Sequence, residues 1–189
     1  MILIDNYDSF TYNIVEYLKE LGKKPEVFKN DEISLSELAS MDFERIIISP
    51  GPGNPQHSSC GICEDVIKTY FKSKKILGIC LGHQLIARIF NAKIIKDPSP
   101  CHGKVSKIFL QNESSLFSGI PDGFEATRYH SLKVDSSSLN EKIIPLARTQ
   151  DMINMALKIK DYDVYGVQFH PEAILTQYGH NLLKNFLSL

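Results

Sequence analysis

The chain has 189 residues, 43% hydrophobic and 23% charged, with a formal net charge of −1. That composition suits one globular α/β domain that buries ~70% of its unfolded surface. It excludes a general electrostatic pull toward nucleic acid and leaves only local basic patches. No apolar run approaches the ~20 residues of a membrane span, and Met1 to Asp5 is too short and too soon acidic for a signal peptide. The expected home is the cytoplasm.

Ile2-Leu3-Ile4 reads as a first buried strand. A polar loop, Asp5 to Ser9, follows, in which Asp8 or Ser9 is placed to cap the next helix. Phe10, Ile14, Val15, Leu18 and Leu21 recur at helical spacing and Gly22 ends the helix. Pro25 to Lys29 predicts a second strand, and 31–40 a polar loop with one helical turn. Arg45 to Ser49 is a third strand that runs into Pro50-Gly51-Pro52-Gly53-Asn54-Pro55. Prolines fix φ and glycines free it, so this loop has a dictated shape and presents bare amides. No G-K-[ST] closes it, so it is not a phosphate loop. Ile62, Val66, Ile67, Tyr70 and Phe71 mark a second amphipathic helix.

The next stretch is Ile76-Leu77-Gly78-Ile79-Cys80-Leu81-Gly82-His83-Gln84. An apolar run of buried-strand type ends at a cysteine, and Leu81, Leu85, Ile86 and Ile89 then recur at helical spacing. Gly78 and Gly82 flank Cys80, and G-x-C-x-G is the cysteine counterpart of a nucleophile elbow. A thiol there lies at a helix N-terminus, where the macrodipole favours thiolate. The Leu81 amide points the same way, toward a developing oxyanion. The alternative is a buried structural cysteine at a βα turn.

After Phe90 the pattern weakens. Residues 93–110 alternate loosely, and 123–170 read as short strands at turn-bounded intervals: Glu125 to Leu132, Ile143 to Arg148 and Met155 to Ile159. This β-rich part extends or caps the parallel sheet. No repeat or linker interrupts it, so 1–189 is expected to be a single domain. Asp163 to Phe169 is the last strand, and Tyr178 to Leu189 closes the chain as a helix.

A catalytic cysteine needs a base, and the base needs an orienting group. Among six histidines, His57, His83, His102, His130, His170 and His180, His170 stands out. Pro171 biases it toward extended backbone, where residues i and i+2 project to one side, so Glu172 is placed to orient it. A strand ending in His also delivers the ring to the edge where open α/β sheets form their sites. The alternative is a capping His beside a surface Glu. Cys60-Gly61-Ile62-Cys63 has redox and metal spacing. It follows a Gly/Pro loop rather than a strand, and a zinc site would need Cys101 and His102 as further ligands. Otherwise it is a helix start that contains two thiols.

Five motifs occur in order: Ile4 to Thr11, Ser49-Pro50-Gly51-Pro52-Gly53, Gly78 to Gln84, Arg128-Tyr129-His130-Ser131-Leu132, and Gly166-Val167-Gln168-Phe169-His170-Pro171-Glu172. Together they resemble the class I (triad) glutamine amidotransferases over almost the whole chain. The likeness is greatest to the small-subunit branch, component II of anthranilate synthase and aminodeoxychorismate synthase. The resemblance implies a class I amidotransferase fold, with a mostly parallel sheet, flanking helices and a β-rich C-terminal extension. It implies Cys80 as nucleophile toward L-glutamine, His170 as acid and base, and Glu172 as its orienter. It implies oxyanion donors at Gly53 and Leu81, and a glutamine site built from Gly51, Pro52, Gln84, Ser131 and Leu132. No metal or cofactor belongs to this chain in that reading. The implied partner is a chorismate-binding component I, which would carry Mg²⁺ and receive ammonia across a surface formed by Asp5 to Thr11 and the loops around the elbow. Anthranilate, aminodeoxychorismate or both could be the product. A non-catalytic scaffold for component I and a thiol redox protein using Cys60 and Cys63 are the readings from other classes. The chain departs from the family pattern at Ala173, at Cys101 and at Cys60 to Cys63.

Overall fold

Branched apolar runs bounded by turns become the buried strands at the centre of the molecule. In a computed structural model that describes residues 1–55 and 60–189, these are β1 (Ile2–Asp5), β3 (Arg45–Ile48), β4 (Lys75–Ile79) and β9 (Val164–Val167). They pair in parallel, with the half-exposed β2 (Glu26–Lys29) at one edge. β5 (Ile94–Leu110), β6 (Phe124–Val134), β7 (Ile143–Arg148) and β8 (Asn154–Ile159) add on in antiparallel fashion. The nine-stranded sheet has the order β2-β1-β3-β4-β9-β8-β7-β5-β6. The β-rich second half therefore extends the parallel sheet. The loose alternation of 93–110 is one long strand, and its pairing with β6 is broken by irregularities between Lys96 and Cys101 and between His102 and Lys104. Those bulges explain why no clean two-residue period is visible there.

Helices cover both faces. Leu3, Ile47 and Leu77 face α1 (Thr11–Glu20) and α5 (Gly179–Ser188), which bring Ile14, Leu18, Leu183 and Phe186. The alternate residues Ile2, Ile4, Ile46, Ile48 and Ile76 face α3 (Cys63–Tyr70) and α4 (Leu81–Ile89), which bring Val66, Ile67, Leu85 and Ile86. Strands apolar on both faces are what a parallel sheet between two helical layers requires. The helical turn expected in 31–40 is α2 (Leu35–Ala39), capped by a reciprocal Ser34–Glu37 box. The start of α1 differs from expectation. Phe10, not Asp8 or Ser9, is the N-cap residue and makes no side-chain cap bond. Asp8 instead folds back to accept the Phe10 N–H at 3.1 Å, and Asp5 accepts from the Thr11 hydroxyl at 2.6 Å. The long polar loop is thus tied to the end of β1 rather than to the helix axis.

The site depends on how closely α4 approaches the sheet. A Cβ on Gly78 would lie 2.4 Å from the carbonyl carbon and oxygen of Gly82, and one on Gly82 would lie 2.6 Å from the Ile48 carbonyl oxygen. Gly166 pairs with Gly78 in register and lies under His83, whose Nδ1 would be 2.8 Å from an added Cβ. Glycines on two adjacent strands and in the first helical turn let the helix settle onto the backbone. The obstructing atoms at Gly78 and Gly82 are backbone and cannot rotate away. Gly78→Ala should therefore destabilise the fold by about 3 kcal/mol, at the upper end of overpacking costs. Urea denaturation monitored by circular dichroism checks this; an unchanged midpoint would show that the helix can slide.

Candidate active site

The contact between α4 and the sheet decides the conformation of Cys80. The residue sits between β4 and α4 with φ +50° and ψ −96°. A non-glycine residue held there costs of order 1–3 kcal/mol, and such strain collects at functional positions. It is held from both sides: the Cys80 N–H donates to Val167 O at 2.8 Å, and its carbonyl accepts the first helical bond from the Gln84 N–H at 3.1 Å. The thiol makes no capping bond to α4. It lies instead near Tyr129 O at 3.7 Å and accepts from Gln168 Nε2 at 3.5 Å.

The chain leaving β9 brings the imidazole. The N–H of His170 donates to Thr127 O on β6 at 3.0 Å, so the strand pair beyond β9 fixes its backbone. His170 Nδ1 and Glu172 Oε1 meet at 2.5 Å, and both residues are buried. The rings of Phe10 and Tyr129 stand edge-on to the imidazole at centroid distances of 6.1 and 5.1 Å. Nε2 has no hydrogen-bond partner of good geometry. Burial opposes charge on this ring, but Glu172 and then the Cys80 sulfur outweigh it and hold the imidazole well above its usual range. The sulfur raises His170 first as a hydrogen-bonding neighbour and then by charge, although the contact is too loose for a hydrogen bond of good geometry. The three residues singled out from the sequence, Cys80, His170 and Glu172, meet in one place.

A cleft of about 300 Å³ opens beside them, at the small end of ligand pockets. Gly51, Pro52 and Gly53 form one wall, Cys80, Leu81 and Gln84 the floor, and Ser131 and Leu132 the far wall. The Gly51 wall rests on Asn6: a Cβ at Gly51 would lie 2.5 Å from Asn6 Cβ. Asn6 is itself clamped. It donates to Ser49 Oγ at 2.8 Å and to Ser49 O at 3.0 Å, and accepts from Asn30 Nδ2 at 2.9 Å and Cys63 Sγ at 3.1 Å. The C-x-x-C motif is therefore part of this bracing. Burial pushes the Cys63 thiol up, and the neighbouring Cys60 adds to it; Cys60 Sγ lies 3.8 Å from Asn54 O. Cys101 sits elsewhere, on β5 opposite His130. Among the described residues no group of three or more His, Cys, Asp or Glu is arranged to hold a metal ion. His57 lies outside the described residues.

Some predicted contacts look different in three dimensions. Both donor bonds of Gln84 Nε2 are made inside the protein, to Leu132 O at 2.9 Å and Gln168 Oε1 at 3.0 Å. Leu132 O also accepts from His130 Nδ1 at 3.0 Å, so this carbonyl is filled. The Ser131 hydroxyl pairs with His102 Nε2 at 3.0 Å. Sequence reasoning missed Gln168 and the buried group around Asp97. Asp97 lies 3.2 Å from Lys133 Nζ and 3.6 Å from Arg128 Nη2, while Arg128 Nε donates to His130 Nε2 at 3.0 Å. Gln168 carried a readable signal, since it precedes His170 by two in an extended stretch; Asp97, in a bulged strand, carried none.

The sequence model of the family described as glutamine amidotransferase class-I matches residues 2–189. The chain belongs to that family. This amidotransferase is 48% identical over 190 residues to an anthranilate synthase component 2 of Saccharolobus solfataricus, covering 99% of this chain and 97% of that one. It is 45% identical to the bifunctional protein TrpGD of Thermotoga maritima, matching 100% of this chain but 32% of that longer one. Among solved structures, a Thermoplasma acidophilum protein assigned to GMP synthase superposes with a TM-score of 0.87 at 28% identity, covering 99% of this chain and 91% of that one. In this amidotransferase no helix among the described residues is long and apolar enough to cross a membrane.

Two other histidines behave in the opposite way to His170. His83 is fully buried, with the Gly166 backbone against its ring but no bond of good geometry to either nitrogen. Burial lowers it to about 3. His130 is lowered to about 4, by burial and then by Arg128, against Asp97. Both stay neutral when folded and bind a proton when unfolded, so their stabilisation is complete above pH ~6.5. It is lost as pH falls from there toward 4 and then 3. His170 is raised, so it is charged in both states below pH ~6.5 and adds no slope in that window. The unfolding free energy should therefore drop by about 3 kcal/mol per pH unit below pH ~6, two protons at ~1.4 each. Urea titrations at pH 7.5, 6.5, 5.5 and 4.5 measure this; a flat profile down to pH 5 would mean these rings are charged or wet.

Proposed function

We propose that the chain is the glutamine-hydrolysing subunit of anthranilate synthase, working in the cytoplasm and passing ammonia to a chorismate-binding component I. The observation that carries the chemistry is the strained Cys80 facing a buried His170–Glu172 pair across an amino-acid-sized cleft. Relatives such as that of Saccharolobus solfataricus carry the name anthranilate synthase component 2. That name supports the tryptophan branch over folate synthesis.

In this reading the Cys80 proton passes to His170 Nε2, whose raised basicity favours the thiolate–imidazolium pair. The thiolate attacks the side-chain amide carbon of L-glutamine. The amides of Gly53 and Leu81 take the oxyanion, each worth ~3 kcal/mol of barrier. His170 gives its proton to the departing ammonia, leaving a γ-glutamyl thioester. Water, with His170 now as base, releases glutamate. Glu172 holds the imidazole by Nδ1 throughout. Gln84 has spent its N–H groups, so its free contribution is the Oε1 acceptor, suited to the substrate's α-ammonium. With the Leu132 carbonyl filled, the backbone at Ser131 and Leu132 offers N–H groups to the α-carboxylate, and Gly51 and Pro52 close the other side. No metal takes part in this chain's steps; Mg²⁺ belongs to the partner's chorismate site. Exposed Tyr7, Tyr12, Ile174 and Leu175 present apolar surface for component I. Ile174 and Leu175 line a hollow that also includes Glu172, Phe10 and Tyr129, three residues in contact with the imidazole.

The test uses the complex assembled from source lysate, supplied with chorismate and Mg²⁺. Cys80→Ala should abolish glutamine-dependent amination and leave ammonia-dependent amination intact, with anthranilate identified by mass. Loss of both activities in an assembled complex would refute the nucleophile assignment. Aminodeoxychorismate as the sole product would refute the tryptophan branch.

A further inference from the structure

Gln168 lies at the meeting point of the elbow, the glutamine wall and the base, with no role in the steps above. Its amide orientation is settled by a chain of bonds that begins at a backbone carbonyl. Leu132 O can only accept, so the end of Gln84 that faces it is the donor Nε2. That same Nε2 lies 3.0 Å from Gln168, so the atom it meets is the acceptor Oε1. Gln168 Nε2 is then left to point at Cys80 Sγ, 3.5 Å away. Gln168 is fully buried, so no water competes for this N–H. Cys80 has two kinds of neighbour accordingly. Tyr129 O, at 3.7 Å, can only accept and suits the thiol. The Gln168 amide can only donate at this end and suits the thiolate.

We propose that Gln168 is a positioning residue for the nucleophile: its side-chain N–H, aimed by Gln84 and ultimately by Leu132 O, holds the Cys80 sulfur as thiolate in line with the cleft. This rests on the assignment of Cys80 as nucleophile. The amide proton never leaves Gln168; the thiol proton goes to His170 Nε2, and the amide stabilises the charge left behind. A donor to an ionised acceptor is about twice as strong as a neutral pair, and inside a buried site it is not screened. Once the thioester forms, sulfur carries no charge and the bond weakens. The contact therefore acts on the resting ion pair and on thiolate expulsion when the thioester reverts. It also links the glutamine wall to the sulfur, because Gln84 cannot move without turning the Gln168 amide.

The experiment is the pH profile of iodoacetamide alkylation at Cys80, read by peptide mass, in the full-length wild type and in Gln168→Met and Gln168→Glu. Met matches the volume without an N–H; Glu keeps an acceptor for Gln84 and puts a negative charge beside the sulfur. Met should move the half-plateau pH up by about one unit, a tenfold loss of reactivity at neutral pH that corresponds to ~1.4 kcal/mol, while the plateau at high pH is kept. Glu should move it further. A midpoint unchanged in both variants overturns the proposal, as does a lowered plateau with no shift, which would mark a packing role only. Should the variants not fold, wild type labelled with ¹⁵N-glutamine serves instead. The Gln168 side-chain amide resonance should shift as Cys80 titrates, and a resonance that does not move overturns the proposal. Wild-type Cys80 no more reactive than Cys101 at neutral pH would instead refute the nucleophile assignment itself.

Discussion

Everything at the site depends on the closeness of α4 to the sheet. A helix whose first turn rests on the backbone of β3, β4 and β9 leaves no room for a relaxed connection. Gly78, Gly82 and Gly166 permit the approach, and Cys80 absorbs the remaining misfit as a positive φ. The strain aims the thiol away from the helix amides that an ordinary cap would satisfy and toward the cleft. Leu81 opens α4 immediately after Cys80, so its amide lies at the helix N-terminus, where partial positive charge is concentrated. Sheet order does the rest: β4 pairs with β9, so the residues that follow each strand emerge side by side. A cysteine after one and a histidine after the other reach the same edge, and the bond from the His170 N–H to Thr127 O on β6 fixes where the histidine turns.

Around this geometry the protein sorts its imidazoles by what it gives them. His170 is buried with a carboxylate on one nitrogen and a sulfur near the other, and becomes strongly basic. His83 is buried with neither, and His130 is buried beside a guanidinium, so both become weak bases. The same burial opposes charge in all three, and the partner decides the outcome. His130 in its neutral form donates from Nδ1 to Leu132 O and accepts from Arg128 at Nε2, a pattern that imidazolium could not make. Its neutrality thus holds one wall of the cleft in shape. The opposite wall is held by uncharged groups, with Asn6, Ser49, Asn30 and the Cys63 thiol bracing the Gly-Pro loop. The C-x-x-C pair lies against this bracing, with the Cys63 thiol donating to Asn6 Oδ1 and Cys60 Sγ resting near Asn54 O.

The two halves of the sheet contribute different parts of this site. The parallel half of the sheet supplies Cys80 and His170, and the antiparallel extension supplies the far wall of the cleft. β6 does both jobs, anchoring His170 through Thr127 O and presenting Ser131 and Leu132 to the cleft.

What the sequence determined by itself is whatever depends on near neighbours along the chain. Apolar runs on both faces specified the parallel strands, helical spacing specified α1, α3, α4 and α5, and G-x-C-x-G with His-Pro-Glu singled out Cys80, His170 and Glu172, because turn crowding and pre-proline extension are local constraints. The cap of α1 falls one or two residues later than the sequence suggests, because Asp8 turns back to the Phe10 N–H and Asp5 takes the Thr11 hydroxyl. Tertiary structure alone decided which polar groups were already occupied. The bond from Gln168 to Cys80 spans 88 residues, that from Gln84 to Leu132 spans 48, and the pairing of Asn6 with Cys63 spans 57. No residue pattern states whether a carbonyl is filled or an amide is turned. That follows from which strands lie side by side, and sheet order is a property of the whole chain.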